Sequence, residues 1–181
     1  MKTRPMILCA LFAALTTAGA FFKIPFPLAA ISLQFFMTAM AGALLGAKYG
    51  ALSQAVYVLA GLAGAPVFSL GGGLSYVLQP TFGFVLGLIP GAYLIGRLTK
   101  PPLRPRRVFL ASLAALAAVY AVGLCHLALI ANGYLGSSPG ARALFLNGML
   151  VYLPGDLVKI TAVSLLAPAV ARRLPQSLWR L

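Results

Sequence analysis

Acidic side chains are almost missing from this sequence: Asp156 is the single Asp or Glu in 181 residues. A lone carboxylate excludes hydrolytic schemes that need a pair of acids. Cysteine is scarce as well. Cys9 and Cys125 lie in separate apolar runs, too few for a disulfide framework and without His or Cys at metal-ligand spacing. They read as small packable core residues. His126 is the only histidine, and it sits in an apolar stretch with no acid in the same run, as a satisfied interior histidine would. No Gly-x-x-x-x-Gly-Lys-Ser/Thr stretch occurs, so ATP-driven work would have to come from other subunits. No enzyme chemistry, metal or cofactor is expected. Charge of either sign is also rare, at 8% of residues. A water-soluble globule carries about 25%, so this chain cannot cover itself with a polar surface.

What is present is apolar sequence in long runs. Hydrophobic residues make up 61% of the chain, and they predict membrane spans over roughly 6–22, 30–47, 50–65, 82–97, 108–131 and 145–171. Several approach or exceed the ~20 residues that cross a bilayer core; the third is shorter and needs its flanks or a thinner bilayer. The expected fold is all-α: one polytopic membrane domain over 1–181, a bundle of six transmembrane helices.

The 14 basic residues give a net charge of +13, a balance that often marks nucleic-acid binding. Their placement argues against a nucleic-acid partner, because they gather at the ends of the apolar runs. With the amino terminus inside, the inner joints hold Lys2, Arg4, Lys48, Arg97, Lys100, Arg104, Arg106, Arg107, Arg172, Arg173 and Arg180, and the outer joints hold Lys23 and Arg142. That asymmetry predicts both termini in the cytoplasm. A competing reading takes Lys2, Arg4 and Ala18-Gly19-Ala20 as a signal peptide. The run continues unbroken into Phe21 and Phe22, which favours a retained first span. Ala10, Ala14 and Ala18 recur every four residues in it, a smooth stripe on which another membrane helix can pack closely.

The outer joints are rich in Pro and Gly. Residues 66–80 contain Gly71-Gly72-Gly73 and end in Leu78-Gln79-Pro80, a candidate cavity wall or lid, or else a flexible surface loop. No convincing internal repeat is present, which weakens an inverted-repeat transporter. The strongest local signal is Pro154-Gly155-Asp156-Leu157-Val158-Lys159. Three residues apart on a helix, Asp156 and Lys159 share a face. Each charge costs about 2.5–3.5 kcal/mol at a membrane-helix centre, so such residues pair or line a polar site. One anion and one cation in an apolar cage suit a small, mostly apolar ligand with a few fixed polar groups. Tyr76, Phe82, Phe84 and Tyr152 are candidate ring surfaces, and Gln79 and Asn147 candidate amides. The alternative is a structural ion pair that orients the helix.

Four stretches together resemble the BioY family, the biotin-specific substrate-binding (S) components of energy-coupling factor (ECF) transporters. They are Ala10-Leu11-Phe12-Ala13-Ala14, Leu44 to Ser53, Gly64 to Phe84 with its glycine cluster, and Pro154 to Lys159. The resemblance implies a six-helix subunit of a prokaryotic cell membrane that captures biotin from the outer side. It also implies helix one docking on a coupling subunit driven by two ATPase subunits, or a chain that works without them as a homo-oligomer. Biotin's ureido N–H groups suit the Asp156 carboxylate, and its carbonyl or carboxylate suits Lys159. In some members an amide and an arginine stand where this chain has Gly71 and Val85, with Gln79 a substitute amide. Another vitamin, or a structural role, stays open on these residues.

Overall fold

The computed structural model describes residues 3–24, 31–134 and 146–173. Helices dominate it: α1 (Thr3–Phe21), α2 (Gln34–Leu62), α3 (Phe82–Leu98), α4 (Pro105–Gly133) and α5 (Leu153–Arg173). A short antiparallel pair, β1 (Lys23–Ile24) and β2 (Ile31–Ser32), joins α1 to α2. A 3-10 turn spans Leu74–Leu78, and a π turn spans Leu146–Leu150. Among the described residues four helical stretches are long and apolar enough to cross a membrane: Thr3–Phe21, Gln34–Leu62, Pro105–Gly133 and Gly148–Arg173. Phe82–Leu98 is apolar but shorter. The sixth expected run starts later as regular helix, because the π turn precedes it.

The α2 segment is not straight. Gln34 Nε2 donates to the Tyr57 hydroxyl at 2.6 Å, and the Thr38 hydroxyl donates to Gln54 Oε1 at 2.9 Å. On one straight helix the first pair would be about 35 Å apart. The chain instead doubles back at Gly46, whose φ of 79° and ψ of −179° suit a residue without a Cβ. Beyond that point a Cβ on Gly50 would lie 2.8 Å from the Gly42 Cα, so the two arms touch along their backbones. Two runs expected to be joined at Lys48 and Tyr49 are thus the arms of one helical hairpin.

The arms pack on α1 and α3, α3 packs on α4, and α5 lies against α4 and α2. Small residues permit these approaches: a Cβ on Gly96 would sit 2.2 Å from the Ala47 nitrogen. Pro90 lies inside α3, and Pro105 opens α4, where its missing N–H costs nothing. A buried polar knot joins α1 to the hairpin. Gln54 Nε2 donates to Thr16 Oγ1 at 3.2 Å and to Ser53 Oγ at 3.1 Å, while its carbonyl receives Thr38. Every side-chain polar group of this fully buried amide is therefore matched.

Large apolar side chains such as Ile7, Leu59, Leu129 and Leu165 lie on the outside of the bundle, more than half exposed. Cations collect at one end, where Arg4, Lys48, Arg97, Lys100, Arg104, Arg106, Arg107, Arg172 and Arg173 are all exposed. Asp156 lies toward the other.

Candidate functional site

The opening turn of α5 carries the acid. Pro154 fits a first turn, whose N–H groups have no helical partner, and a carboxylate there meets the positive end of the helix dipole. Asp156 sits in this first turn, directly after the π turn, and its N–H donates to the Tyr152 carbonyl at 3.0 Å. Asp156 and Lys159 are 7% and 8% exposed, so both charges are largely out of solvent. They form an ion pair through Asp156 Oδ1 and Lys159 Nζ.

Two further groups complete it. The Tyr120 hydroxyl, from α4, donates to Asp156 Oδ2 at 2.6 Å. Lys159 Nζ donates to the Ser32 carbonyl at 2.9 Å, reaching the entry to α2. Both carboxylate oxygens are thus engaged, and two of the three ammonium hydrogens have protein acceptors. The pair is compensated on each side, the condition under which buried charges persist. Ser32 and Gln34 lie beside it: Ser32 Oγ is 3.4 Å from Gln34 Oε1, and Gln34 reaches Tyr57.

Ring surfaces form two groups, one on Tyr120 and one tied in through Gln34 and Tyr57. Phe84 stands edge-on to Tyr120 at 6.1 Å between centroids. The second group is Tyr57, Phe68, Tyr76, Phe82 and His126, with Phe68 to Tyr57 at 5.4 Å and to Tyr76 at 4.5 Å. Phe68 is fully buried and lies over Gly61, so the 63–81 connection is pinned to the bundle rather than loose. His126 packs edge-on to Phe82 at 5.8 Å. The residue is only half-buried, yet its Nδ1 is buried with no hydrogen-bond partner among the described residues, so the expectation of a satisfied histidine is corrected at that nitrogen.

The remaining expectations distribute unevenly. Tyr76 and Phe82 are buried in the ring cluster, and Tyr152 is 38% exposed where the chain enters α5. Gln79 follows the 3-10 turn with an exposed side chain. The side chain of Asn147 lies outside the described residues. Ala10, Ala14 and Ala18 are all exposed along one face of α1. Sequence reasoning passed over Tyr120 and Ser32. Tyr120 had a signal, being the only tyrosine of the 108–131 run, since a phenol buried there needs a hydrogen-bond partner. Ser32 had none, because it contributes a backbone carbonyl. No cluster of metal-ligating side chains occurs among the described residues.

Residues 1–176 match the model of the BioY family. The chain belongs to the BioY family. BioY relatives include a probable biotin transporter of Lysinibacillus sphaericus, 39% identical over 170 residues, with 92% of this chain and 86% of that protein covered. The biotin transporter BioY of Thermotoga maritima is 32% identical over 165 residues, covering 91% and 94%. Among solved structures, the S-component for biotin from an ECF-type ABC transporter superposes with a TM-score of 0.80 at 26% identity, covering 98% of this chain and 96% of that one. The all-helical architecture is therefore that of an ECF S component. As a BioY protein with several apolar helices, the chain is a multi-pass membrane protein and not an enzyme by itself.

Proposed function

We propose that this chain captures biotin outside the cell and delivers it inward as the substrate-binding subunit of an ATP-driven ECF transporter. The observation that carries the reading is the buried Asp156–Lys159 pair, held by Tyr120 and Ser32 in a bundle otherwise without acid. Asp156 accepts from the ureido N–H groups, and Lys159 turns its remaining hydrogen to a ligand oxygen. Phe82, Phe84, Tyr76 and Tyr152 flank the apolar rings, with Gln79 and Asn147 as candidate amides.

The bundle crosses the cell membrane six times in this reading, the two arms of α2 and the short α3 each counting once. The cationic end faces the cytoplasm together with both termini, as the positive-inside bias requires. Ala10, Ala14 and Ala18 form the face of α1 that docks on a coupling subunit, which two ATPase subunits drive.

Isothermal titration of the purified protein with biotin tests the reading. Asp156→Asn and Lys159→Met should each weaken binding at least tenfold while the protein stays monodisperse. Full affinity in both variants refutes the site. A wild type that ignores biotin but carries another vitamin through purification refutes the ligand and leaves the fold untouched.

A further inference from the structure

The cations of the α3–α4 connection are densely grouped. Arg97, Lys100, Arg104, Arg106 and Arg107 fall within eleven residues, and every one is exposed. Lys48 joins them from another element, because Gly96 packs directly on the Ala47 backbone and sets the neighbouring Lys48 and Arg97 on adjoining chain. The connection is anchored. Leu103 is buried, and the Thr99 hydroxyl donates to the Ile95 carbonyl at 2.6 Å. These charges are therefore held at close quarters, where like charges repel. No described carboxylate relieves them, since Asp156 is bound to Lys159 toward the opposite end.

We propose that this basic end is a binding surface for anionic phospholipids, with Arg104, Arg106 and Arg107 gripping headgroup phosphate. Guanidinium groups match phosphate oxygens in a fixed two-pronged geometry. The surroundings select a lipid over a soluble anion or an acidic protein. Leu98 and Leu110, 50% and 54% exposed, flank the cations at the ends of α3 and α4 and offer apolar surface for acyl chains. A ligand with a negative head and an apolar tail satisfies both halves of this surface.

Native mass spectrometry of the detergent-purified protein, titrated separately with phosphatidylglycerol and phosphatidylcholine, tests the proposal. Phosphatidylglycerol adducts should form at lower lipid concentration. Each cation near an anionic surface is worth about fivefold in affinity, so the combined Arg104→Gln, Arg106→Gln, Arg107→Gln variant should lose on the order of a hundredfold. The matching triple Lys variant keeps the charge but not the two-pronged geometry, so it should bind more weakly than the wild type and more tightly than the Gln variant, and an unchanged melting temperature shows that folding is not what was lost. Equal retention of the two lipids overturns the proposal, as does full phosphatidylglycerol binding by the Gln variant. Displacement of the lipid by millimolar inorganic phosphate alone assigns the surface to soluble anions instead. If lipid binding ignores the arginines but their loss abolishes co-purification with partner subunits, the surface belongs to protein contacts and the lipid assignment fails.

Discussion

Replacing Tyr120 with Phe removes one oxygen and leaves the ring against Phe84. That oxygen donates to Asp156 Oδ2 at 2.6 Å, and both residues are buried. Hydrogen bonds to a charged group contribute about 1.5–3 kcal/mol, which corresponds to roughly 10- to 100-fold in an equilibrium constant. On the proposed reading the loss should appear in biotin affinity, because an untethered carboxylate can rotate away from the geometry in which it would meet the ureido hydrogens. Titration calorimetry of wild type, Tyr120→Phe, Asp156→Asn and the double variant separates this from mere destabilisation. The coupling in that cycle should be at least about 1 kcal/mol, since the two groups share one bond. Thermal unfolding of the ligand-free proteins is the second readout. If Tyr120→Phe lowers the melting temperature but binds biotin like the wild type, Tyr120 is structural and its positioning role is refuted. Additive losses in the cycle refute it equally.

Three other perturbations follow from the packing. Gly46→Ala should cost about 1–3 kcal/mol through backbone strain alone, because its added methyl meets nothing within 4 Å; detergent thermal melts against Gly133→Ala, equally open in space, check this. Phe68→Ala should cost about 3–5 kcal/mol and expose the 63–81 connection to limited proteolysis, since the fully buried ring anchors it. Ala14→Trp should abolish co-purification with a coupling subunit while leaving biotin binding unchanged, because Ala14 points out of the bundle; joint loss of both signals would mean misfolding.

The membrane helices were legible because a bilayer imposes a length and a polarity on each of them. Charges inside an apolar run were legible for the same reason: Asp156 and Lys159 stand out against an apolar background and are neighbours on one helix. Contacts between helices left no comparable mark. Tyr120 is 36 residues from Asp156, and Ser32 is 127 from Lys159, so nothing local announces either bond. Gln54 reads as one polar residue in an apolar run until α1 and both arms of α2 are brought together around it. The turn at Gly46 was legible as a joint near Lys48 and Tyr49, but its sharpness was not. Helical segments run right up to it on both sides, without a Pro-bearing spacer like those at residues 25–27 and 66–80.

The Lys159–Ser32 bond also bears on how the protein is made. A nascent chain that has delivered α1 through α4 contains neither Asp156 nor Lys159, and its Tyr120 hydroxyl and Ser32 carbonyl still lack these partners. The buried charge cluster comes into existence only when α5 packs beside Ser32 and Tyr120. On the proposed reading, products that stop before α5 should not bind the vitamin, and arrival of the last helix would make the molecule competent.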